Sequence, residues 1–298
     1  MGEFMTFLFA GLTVGAINAL TGLGLLIVYN VTGVINFAQG DFVMLGAMAA
    51  ILFAGANGHR AGLPLIVAVV LAVMCVSALG GILERTVLHP RRKSGPVLLL
   101  IMTVGISLVL EGVVLVITSS QSYGLRNFTP GPALSVFGGT VSLQSLWVFG
   151  VTGAALVALY LFFSRTRVGK AFRACEINPL AASLVGIRPS RYWTYAFALA
   201  AGLSALAGAV IAPVTTATYD MGLALTLSGF VAWVLGGLVS PVGVVVGGVG
   251  LGVAQGMVNG YLPLGLVAYA NAFPFVILIA VLVVRPNGII RSLAERRV

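Results

Sequence analysis

Three polar side chains, Asn36, Gln39 and Asp41, interrupt the second apolar segment of this chain. Gly33 precedes them and Gly40 lies between Gln39 and Asp41, and both glycines would loosen a helix at this point. An amide or carboxylate in hydrocarbon is costly unless it faces a cavity or finds a partner. The pattern therefore predicts a broken helix that lines a polar route through a membrane. The residues predicted to lie on this route are Asn36, Phe37, Gln39 and Asp41.

A different interpretation places these residues at the cytosolic edge of the membrane, with Asp41 capping the helix that follows. Two more polar groups stand alone in apolar segments, Asn18 and Glu111, and each is expected to hydrogen-bond to a neighbouring helix. The carboxylates of Asp41 and Glu111 also leave open a secondary transporter in which they bind a coupling proton or sodium ion. A passive channel for a small neutral solute is a third possibility.

The segment Ser164–Arg191 is charged, lies between two long apolar runs and contains a short helix with both ends marked. Asn178 can cap this helix, and Pro179 fits its first turn. Gly186 can end it in a left-handed conformation. The helix has only about two turns, so Asn178–Gly186, here called the plug, is too short to be stable alone. The sequence predicts that the plug docks into a soluble protein.

The stretch before the plug has the spacing of an amphipathic helix. Lys170, Arg173 and Glu176 fall three residues apart, on one face of a helix that would lie along the membrane surface. A simpler interpretation is that these charges only mark topology. Apart from Arg60 and Arg126, every lysine and arginine lies in one of three stretches that face the cytoplasm by the positive-inside rule. These stretches are Arg85–Lys93, Arg165–Arg191 and Arg285–Val298.

The composition requires a lipid environment. The chain has 298 residues, of which 59% are hydrophobic and 8% are charged, and its mean hydropathy is +1.11. The apolar runs are long enough for membrane helices and lack the alternation of apolar and polar residues that is typical of a membrane β-barrel. The net charge of +9 is explained by membrane topology rather than by nucleic-acid binding. The sequence therefore predicts an all-α polytopic transmembrane bundle with about eight or nine membrane elements, some of them broken or re-entrant. The predicted spans are Phe7–Tyr29, Val34–Ala54, Leu63–Leu83, Val97–Thr118, Leu143–Phe163, Tyr192–Ala212, Leu225–Leu238 with Val242–Tyr261, and Leu264–Val284.

One transmembrane domain is expected over residues 1–298, with residues 164–191 as a cytoplasmic loop within it. The first apolar run lacks a basic leader and is long enough to span, so no cleavable signal is predicted. Met1–Phe4 is interpreted as a cloning leader, with Met5 as the native start. If Leu225–Tyr261 is a hairpin bent at Ser240–Pro241, nine elements place the N-terminus outside, whereas a re-entrant element would change the number of crossings.

Near the C-terminal end, Gly248, Gly252, Gly256 and Gly260 are spaced by four and form a smooth ridge on a helix. This ridge predicts close packing within the chain, and packing against a second subunit is the alternative.

Motifs for ATP binding and hydrolysis do not occur in the sequence. Its Gly169–Lys170 pair has Ser164 where a P-loop needs its first glycine, so any ATP chemistry would belong to another chain. Neither H-E-x-x-H nor G-x-S-x-G occurs, which gives no support to an intramembrane hydrolase. Cys75 and Cys175 are expected as reduced thiols at different depths, and two isolated histidines predict no metal site.

Four blocks of this sequence, in order, resemble the permeases of high-affinity branched-chain amino-acid ABC transporters, the Liv type. The resemblance covers almost the whole chain and is closer to the first of the two paired permeases. The blocks are Gly33–Gly40 with Met44–Ala47, Gly169–Cys175 with Ala181–Ile187, Val234–Leu238 with Gly243 and Gly247–Gly248, and Leu282–Gly288. This chain has Gln39 where the family often has histidine, and relatives of this architecture also move urea, short amides and other carboxylates.

The resemblance implies a permease subunit of an ABC importer in the bacterial cytoplasmic (inner) membrane, moving branched-chain or related amino acids. It implies a second permease, two ATPase subunits and an extracytoplasmic binding protein as partners. It implies no cofactor on this chain, because ATP is bound by the partner subunits. The charged loop would be the coupling element that enters a cleft of the ATPase. The residues implied in that contact are Arg173, Glu176, Asn178, Ala181, Ala182 and Gly186.

Overall fold

The computed structural model describes residues 2–55, 62–92, 94–136, 138–238, 240–262 and 273–284. Antiparallel strands β1 (Leu134–Val136) and β2 (Gly139–Val141) form a hairpin between the fourth and fifth helices. A π-helical turn and a 3₁₀ turn extend the third helix to Arg91. The helices are α1 (Gly2–Thr32), α2 (Gln39–Ala54), α3 (Leu65–Leu83), α4 (Pro96–Thr118), α5 (Leu143–Arg165), α6 (Arg167–Ile177), α7 (Pro179–Leu184), α8 (Pro189–Ile211), α9 (Met221–Leu235), α10 (Pro241–Tyr261) and α11 (Phe273–Val284).

Within the described residues, six helices are long and apolar enough to cross a membrane: α1, α3 with its extension, α4, α5, α8 and α10. Two shorter apolar helices, α2 and α9, accompany them. The prediction of an all-α polytopic bundle is therefore confirmed. Most of α1 is buried at the centre of the bundle, whereas α4 and α5 bury little of their length. Their apolar outer faces suit lipid or another membrane subunit.

The two ends of α1 show on which side of the membrane the chain begins. At the C-terminal end, Asn30 Nδ2 donates to Glu176 Oε1 at 2.8 Å, within the basic segment that faces the cytoplasm. At the N-terminal end, the Thr6 hydroxyl accepts from the backbone N–H of Thr140 in β2 at 3.0 Å. The N-terminal end of α1 and the β1–β2 hairpin therefore lie at the outer end of the bundle.

Two predicted spans are wrong at their boundaries. The span predicted over Val34–Ala54 becomes helical only at Gln39, after a turn in which Gly33 adopts a positive φ of +70°. The helix expected over Leu225–Leu238 is α9, which begins and ends earlier in the chain. The bend before Pro241 is confirmed, since α10 starts there. The predicted span Leu264–Val284 and the basic segment after it lie partly or wholly outside the described residues.

The central helices form two groups of three with opposite orientations in the membrane. These groups, here called the inverted triads, are α1–α2–α3 and α8–α9–α10. The contacts within the bundle repeat when α1, α2 and α3 are matched to α8, α9 and α10. The contact of α1 with α10 corresponds to that of α8 with α3, and the contact of α2 with α8 corresponds to that of α9 with α1. Because α1 runs from the outer end to the cytoplasmic end and α8 runs the opposite way, one triad repeats the other upside down. Inverted repeats of this kind are common in transporters, and their interrupted segments mark the binding region. Here the equivalent short segments are α2 and α9.

The glycine ridge of α10 packs against α1 of the same chain. A Cβ atom at Gly252 would lie 2.2 Å from the Cα and N atoms of Gly15. The prediction of packing within the chain is thus confirmed for the face that touches α1. Asn18 also lies at this contact, where its Nδ2 donates to Gln255 Oε1 at 2.8 Å. The expected hydrogen bond from Asn18 to a neighbouring helix is therefore confirmed.

Gly252→Ala is expected to lower the thermal midpoint of the purified permease, because the new methyl group forces the backbones of α10 and α1 apart. Overpacking of this kind typically costs about 1–3 kcal/mol of unfolding free energy. Gly250→Ala is the matched control on the same helix, since a Cβ atom at Gly250 would meet nothing within 4 Å. Equal midpoints for the two variants in a thermal-denaturation series would contradict the α1–α10 contact.

Candidate functional site

After α1 the chain turns back into the membrane interior. Residues 34–38 are not helical, and Gln39 at the start of α2 reaches the middle of α8. There its Nε2 donates to the Ala200 carbonyl at 3.0 Å and to Ser204 Oγ at 2.7 Å. Gly24 of α1 leaves room for this amide, because a Cβ atom at Gly24 would lie 2.1 Å from Gln39 Nε2. Residues 33–38, here called the re-entrant segment, therefore carry the chain from the cytoplasmic end back into the bundle outside any helix, as the broken-helix interpretation predicts.

The expectation that Asp41 caps the helix that follows is wrong. Ala38, not Asp41, occupies the N-cap position of α2, and the start of α2 has no side-chain cap. Asn36 holds the turn: its Nδ2 donates to Gln39 Oε1 at 3.0 Å, and its Oδ1 accepts from the Ala38 N–H at 3.2 Å. Asn36 and Gln39 are fully buried, with these hydrogen bonds made inside the chain. They build the re-entrant segment, and their contact with a solute stays a prediction.

The N-termini of the two short helices meet inside the bundle. The Gly40 N–H donates to Thr226 Oγ1 at 2.8 Å, and the Thr226 hydroxyl donates to the Phe37 carbonyl at 2.9 Å. The backbones approach closely, because a Cβ atom at Gly40 would lie 2.0 Å from the Gly222 carbonyl oxygen. Helix N-termini carry partial positive charge and unpaired N–H groups, so such a junction is suited to polar or charged solutes.

Asp41 lies in the first turn of α2 beside this junction and is fully buried. Neither of its carboxylate oxygens has a hydrogen-bond partner among the described residues. The Ser107 hydroxyl of α4 approaches it without meeting hydrogen-bond geometry, and Glu111 follows one turn later on α4. Glu111 is half-buried and faces the backbone of Leu223 at the start of α9. The two carboxylates therefore face the junction from α2 and from α4.

Phe37 is the predicted path residue whose side chain is partly exposed. Its ring stacks on Phe230 of α9, with the ring centroids 6.3 Å apart. Its backbone N–H donates to Thr103 Oγ1 of α4 at 3.2 Å. The re-entrant segment is thus held by α4, α8 and α9 together.

Sequence reasoning missed four hydroxyl residues at this site: Thr103, Ser107, Ser204 and Thr226. A signal for two of them was present, because Thr103, Ser107 and Glu111 recur every four residues and so share one face of α4. Ser204 and Thr226 show no such pattern, since each is the only site hydroxyl on its helix. Only the packing of α2 against α8 and α9 reveals their role.

At the cytoplasmic end, the plug has the predicted local structure. Asn178 Oδ1 accepts from the Ala181 N–H at 3.0 Å, and Pro179 is the first helical residue of α7. Gly186 ends the turn with a φ of +85°, a conformation that favours glycine. Both end signals of the short helix are therefore confirmed.

The amphipathic helix α6 is clamped to the bundle by one aromatic side chain. Phe172 packs against Phe162, Phe163 and Tyr192, with ring centroids 5.9, 5.8 and 5.2 Å away. Cys175, one turn later, is also buried, and burial raises the pKa of its thiol. The charged face of α6 is exposed: Lys170, Arg173 and Glu176.

The outer face of the plug is apolar and exposed. Leu180, Leu184 and Val185 are 75%, 83% and 77% exposed, and Ile177 at the end of α6 is 85% exposed. Exposed apolar clusters of this size are typical of interaction surfaces. Ala182 is only 3% exposed and packs inward, so the prediction that it contacts a partner has to be corrected. The other predicted contact residues are exposed: Arg173, Glu176, Asn178, Ala181 and Gly186.

Residues 7–282 match the family described as the permease component of the branched-chain amino acid transport system. The chain belongs to this family. The permease is 31% identical to LivH, the high-affinity branched-chain amino acid transport system permease protein of Escherichia coli K12, over 96% of this chain and 95% of that protein. It is 32% identical to BraD, the corresponding permease protein of Pseudomonas aeruginosa, over 94% and 93%. It is 28% identical to a probable branched-chain amino acid transport permease of Methanocaldococcus jannaschii, over 91% and 87%.

No solved structure matches the permease. Family membership makes it a transport component of an ABC importer, a multi-pass protein of the cytoplasmic membrane. The alternative of an ion-driven secondary transporter that uses Asp41 and Glu111 finds no support among these relatives.

Proposed function

We propose that the permease moves branched-chain or closely related amino acids into the cell as one of two membrane subunits of its transporter. Two ATPase subunits and an extracytoplasmic binding protein complete the complex. The similarity to LivH and BraD, which are branched-chain amino acid transport permeases, supports the cargo. The observation that carries the assembly is the exposed apolar plug on a chain whose sequence contains no P-loop.

The plug is the element through which ATP would drive transport. ATP binding would draw the ATPase subunits together, and the seated plugs would move with them. The helices behind the plugs would then rock and open a path outward, and hydrolysis would reset the complex.

Contacts of the described residues supply a route for this movement. Glu176 on α6 accepts from Asn30, three residues before the turn at Gly33 that begins the re-entrant segment. Desolvation raises the pKa of Glu176, and the neighbouring Arg173 acts in the opposite direction. A cavity of about 560 Å³ between α1, α5, α6 and α10 lies beside this link and leaves room for α6 to shift. Displacement of the plug would therefore reach the site through α6 and the end of α1.

The solute path is proposed to pass the junction of α2 and α9. Phe37 and Asp41 are the residues best placed to meet the cargo, because one is partly exposed and the other lacks a partner. Asn36 and Gln39 would act mainly by holding the re-entrant segment in place.

Reconstitution tests the proposed function. Proteoliposomes with the complete complex, enclosed ATP and external binding protein are expected to accumulate labelled leucine in an ATP-dependent manner. Proteoliposomes with the permease alone are expected to show no leucine flux under a proton or sodium gradient. Leucine flux by the isolated permease would contradict the proposal. The proposed cargo would also be wrong if the complete complex never moved leucine but hydrolysed ATP when its binding protein carried another solute.

A further inference from the structure

Asp41 presents a buried carboxylate that the described chain leaves without any partner. Its nearest backbone donors are already occupied: the Gly40 N–H bonds to Thr226, and the Phe42 N–H bonds to the Ala38 carbonyl. The Gln39 N–H is likewise used, by the Asn36 carbonyl. A buried anion without partners is strongly disfavoured in proteins, and orphaned buried groups in native structures point to an absent partner or ion.

The missing partner has to come from outside the surrounding helices. The helices α2, α4 and α9 contain no lysine and no arginine. The groups that surround Asp41 from α4 are the hydroxyl of Ser107 and a second carboxylate, Glu111. Both can accept hydrogen bonds, and two carboxylates attract a cation. The first turn of α2 also carries partial positive charge, which favours an anionic side chain at this position.

The position of this carboxylate also fits a place where cargo is held. Asp41 lies at the meeting point of the two short helices, which occupy equivalent places in the inverted triads. Transporters with inverted repeats bind their solutes at such interrupted segments. An α-amino acid carries an ammonium group with three N–H donors, which matches a site whose charged side chains, Asp41 and Glu111, are both carboxylates.

We propose that Asp41 binds the ammonium group of the transported amino acid, with Ser107 and Glu111 as additional acceptors. This inference rests on the proposed function and specifies the chemistry of its path. It excludes simple carboxylates without an amino group as preferred cargo, because their negative charge would face two carboxylates.

The test uses the complete reconstituted complex with leucine-loaded binding protein. Asp41→Asn removes the charge and keeps the shape of the side chain. We expect the number of leucine molecules delivered per ATP hydrolysed to fall about tenfold or more, as for the loss of a charge-assisted hydrogen bond. The thermal midpoint of the complex is expected to stay the same or rise, because an orphaned buried charge has been removed. Asp41→Glu is expected to retain part of the leucine delivery.

Glu3→Gln is the control for removing a carboxylate, because Glu3 is exposed in the first turn of α1, at the outer end of the bundle. It is expected to transport like the wild type. Unchanged delivery by Asp41→Asn would overturn the inference while leaving the proposed function intact. If leucine delivery falls and the thermal midpoint of the Asp41→Asn complex falls as well, Asp41 has a structural role. That result would also overturn the inference. A wild-type complex that moves other solutes but no amino acid would overturn the proposed function first.

Discussion

Leu184→Asp is expected to abolish ATP-driven leucine uptake by the assembled transporter while the permease stays folded. Leu184 is 83% exposed on the plug, so the substitution removes almost no contact within the chain. It places a charge on a surface that must lose its water when the ATPase binds, and an unpaired buried charge at an interface is strongly unfavourable. The loss is expected to exceed about tenfold in uptake and in ATPase activity stimulated by the binding protein.

Ala182→Asp is the matched comparison on the same short helix. Because Ala182 is 3% exposed and packs inward, the new charge should disrupt the loop itself. Cys175 distinguishes the two outcomes, since it is buried with a raised thiol pKa and should react slowly with maleimide. In a Cys75→Ala background, labelling of Cys175 is expected to remain slow in Leu184→Asp and to become fast in Ala182→Asp. Normal coupling in Leu184→Asp complexes would show that the plug is not the docking surface.

Gly40→Val is expected to eliminate transport by separating the two short helices. Its side chain would enter space held by the Gly222 carbonyl at 2.0 Å and the Thr226 N atom at 2.5 Å from the first added carbon. These are backbone atoms, so the clash cannot be relieved by a change of rotamer, and the hydrogen bond from the Gly40 N–H to Thr226 would be lost with it.

Gly105→Val on α4 provides the control for the effect of valine in a membrane helix, because a Cβ atom at Gly105 would meet nothing within 4 Å. It is expected to leave uptake near the wild-type level. Uptake should be measured with permease amounts matched by immunoblot of the membrane fraction. Comparable uptake by the two variants would show that the contact of α2 with α9 is not required for transport.

The sequence alone was sufficient for local structure that depends on neighbouring residues. Asn178, Pro179 and Gly186 carry the start and stop of the short helix in their own side chains and backbone preferences, so its ends were predicted correctly. The long apolar runs likewise predicted the crossings, because only helices of that length satisfy the backbone in lipid. The glycines and polar residues after α1 predicted a break in the helix, but they did not predict how many residues the break contains.

What depended on long-range contacts required the tertiary structure. Ala182 looks like its apolar neighbours in sequence, and only the docking of α7 onto the bundle shows that it points inward while Leu184 points outward. The side of the membrane on which the chain begins became clear only from the contacts of Thr6 and Asn30 at the two ends of α1.

The sequence by itself determined that the chain is a membrane-spanning helical bundle with a capped cytoplasmic plug, since hydropathy, charge placement and capping act over a few residues. Only the tertiary structure decided that α2 and α9 meet inside the bundle and that Asp41 is left there without a partner. The physical reason is that burial and hydrogen bonding depend on which residues are close in three dimensions, and these can be far apart in the sequence. Gly40 and Thr226 are hydrogen-bonded to each other although they lie 186 residues apart in the sequence, and no local pattern encodes that contact.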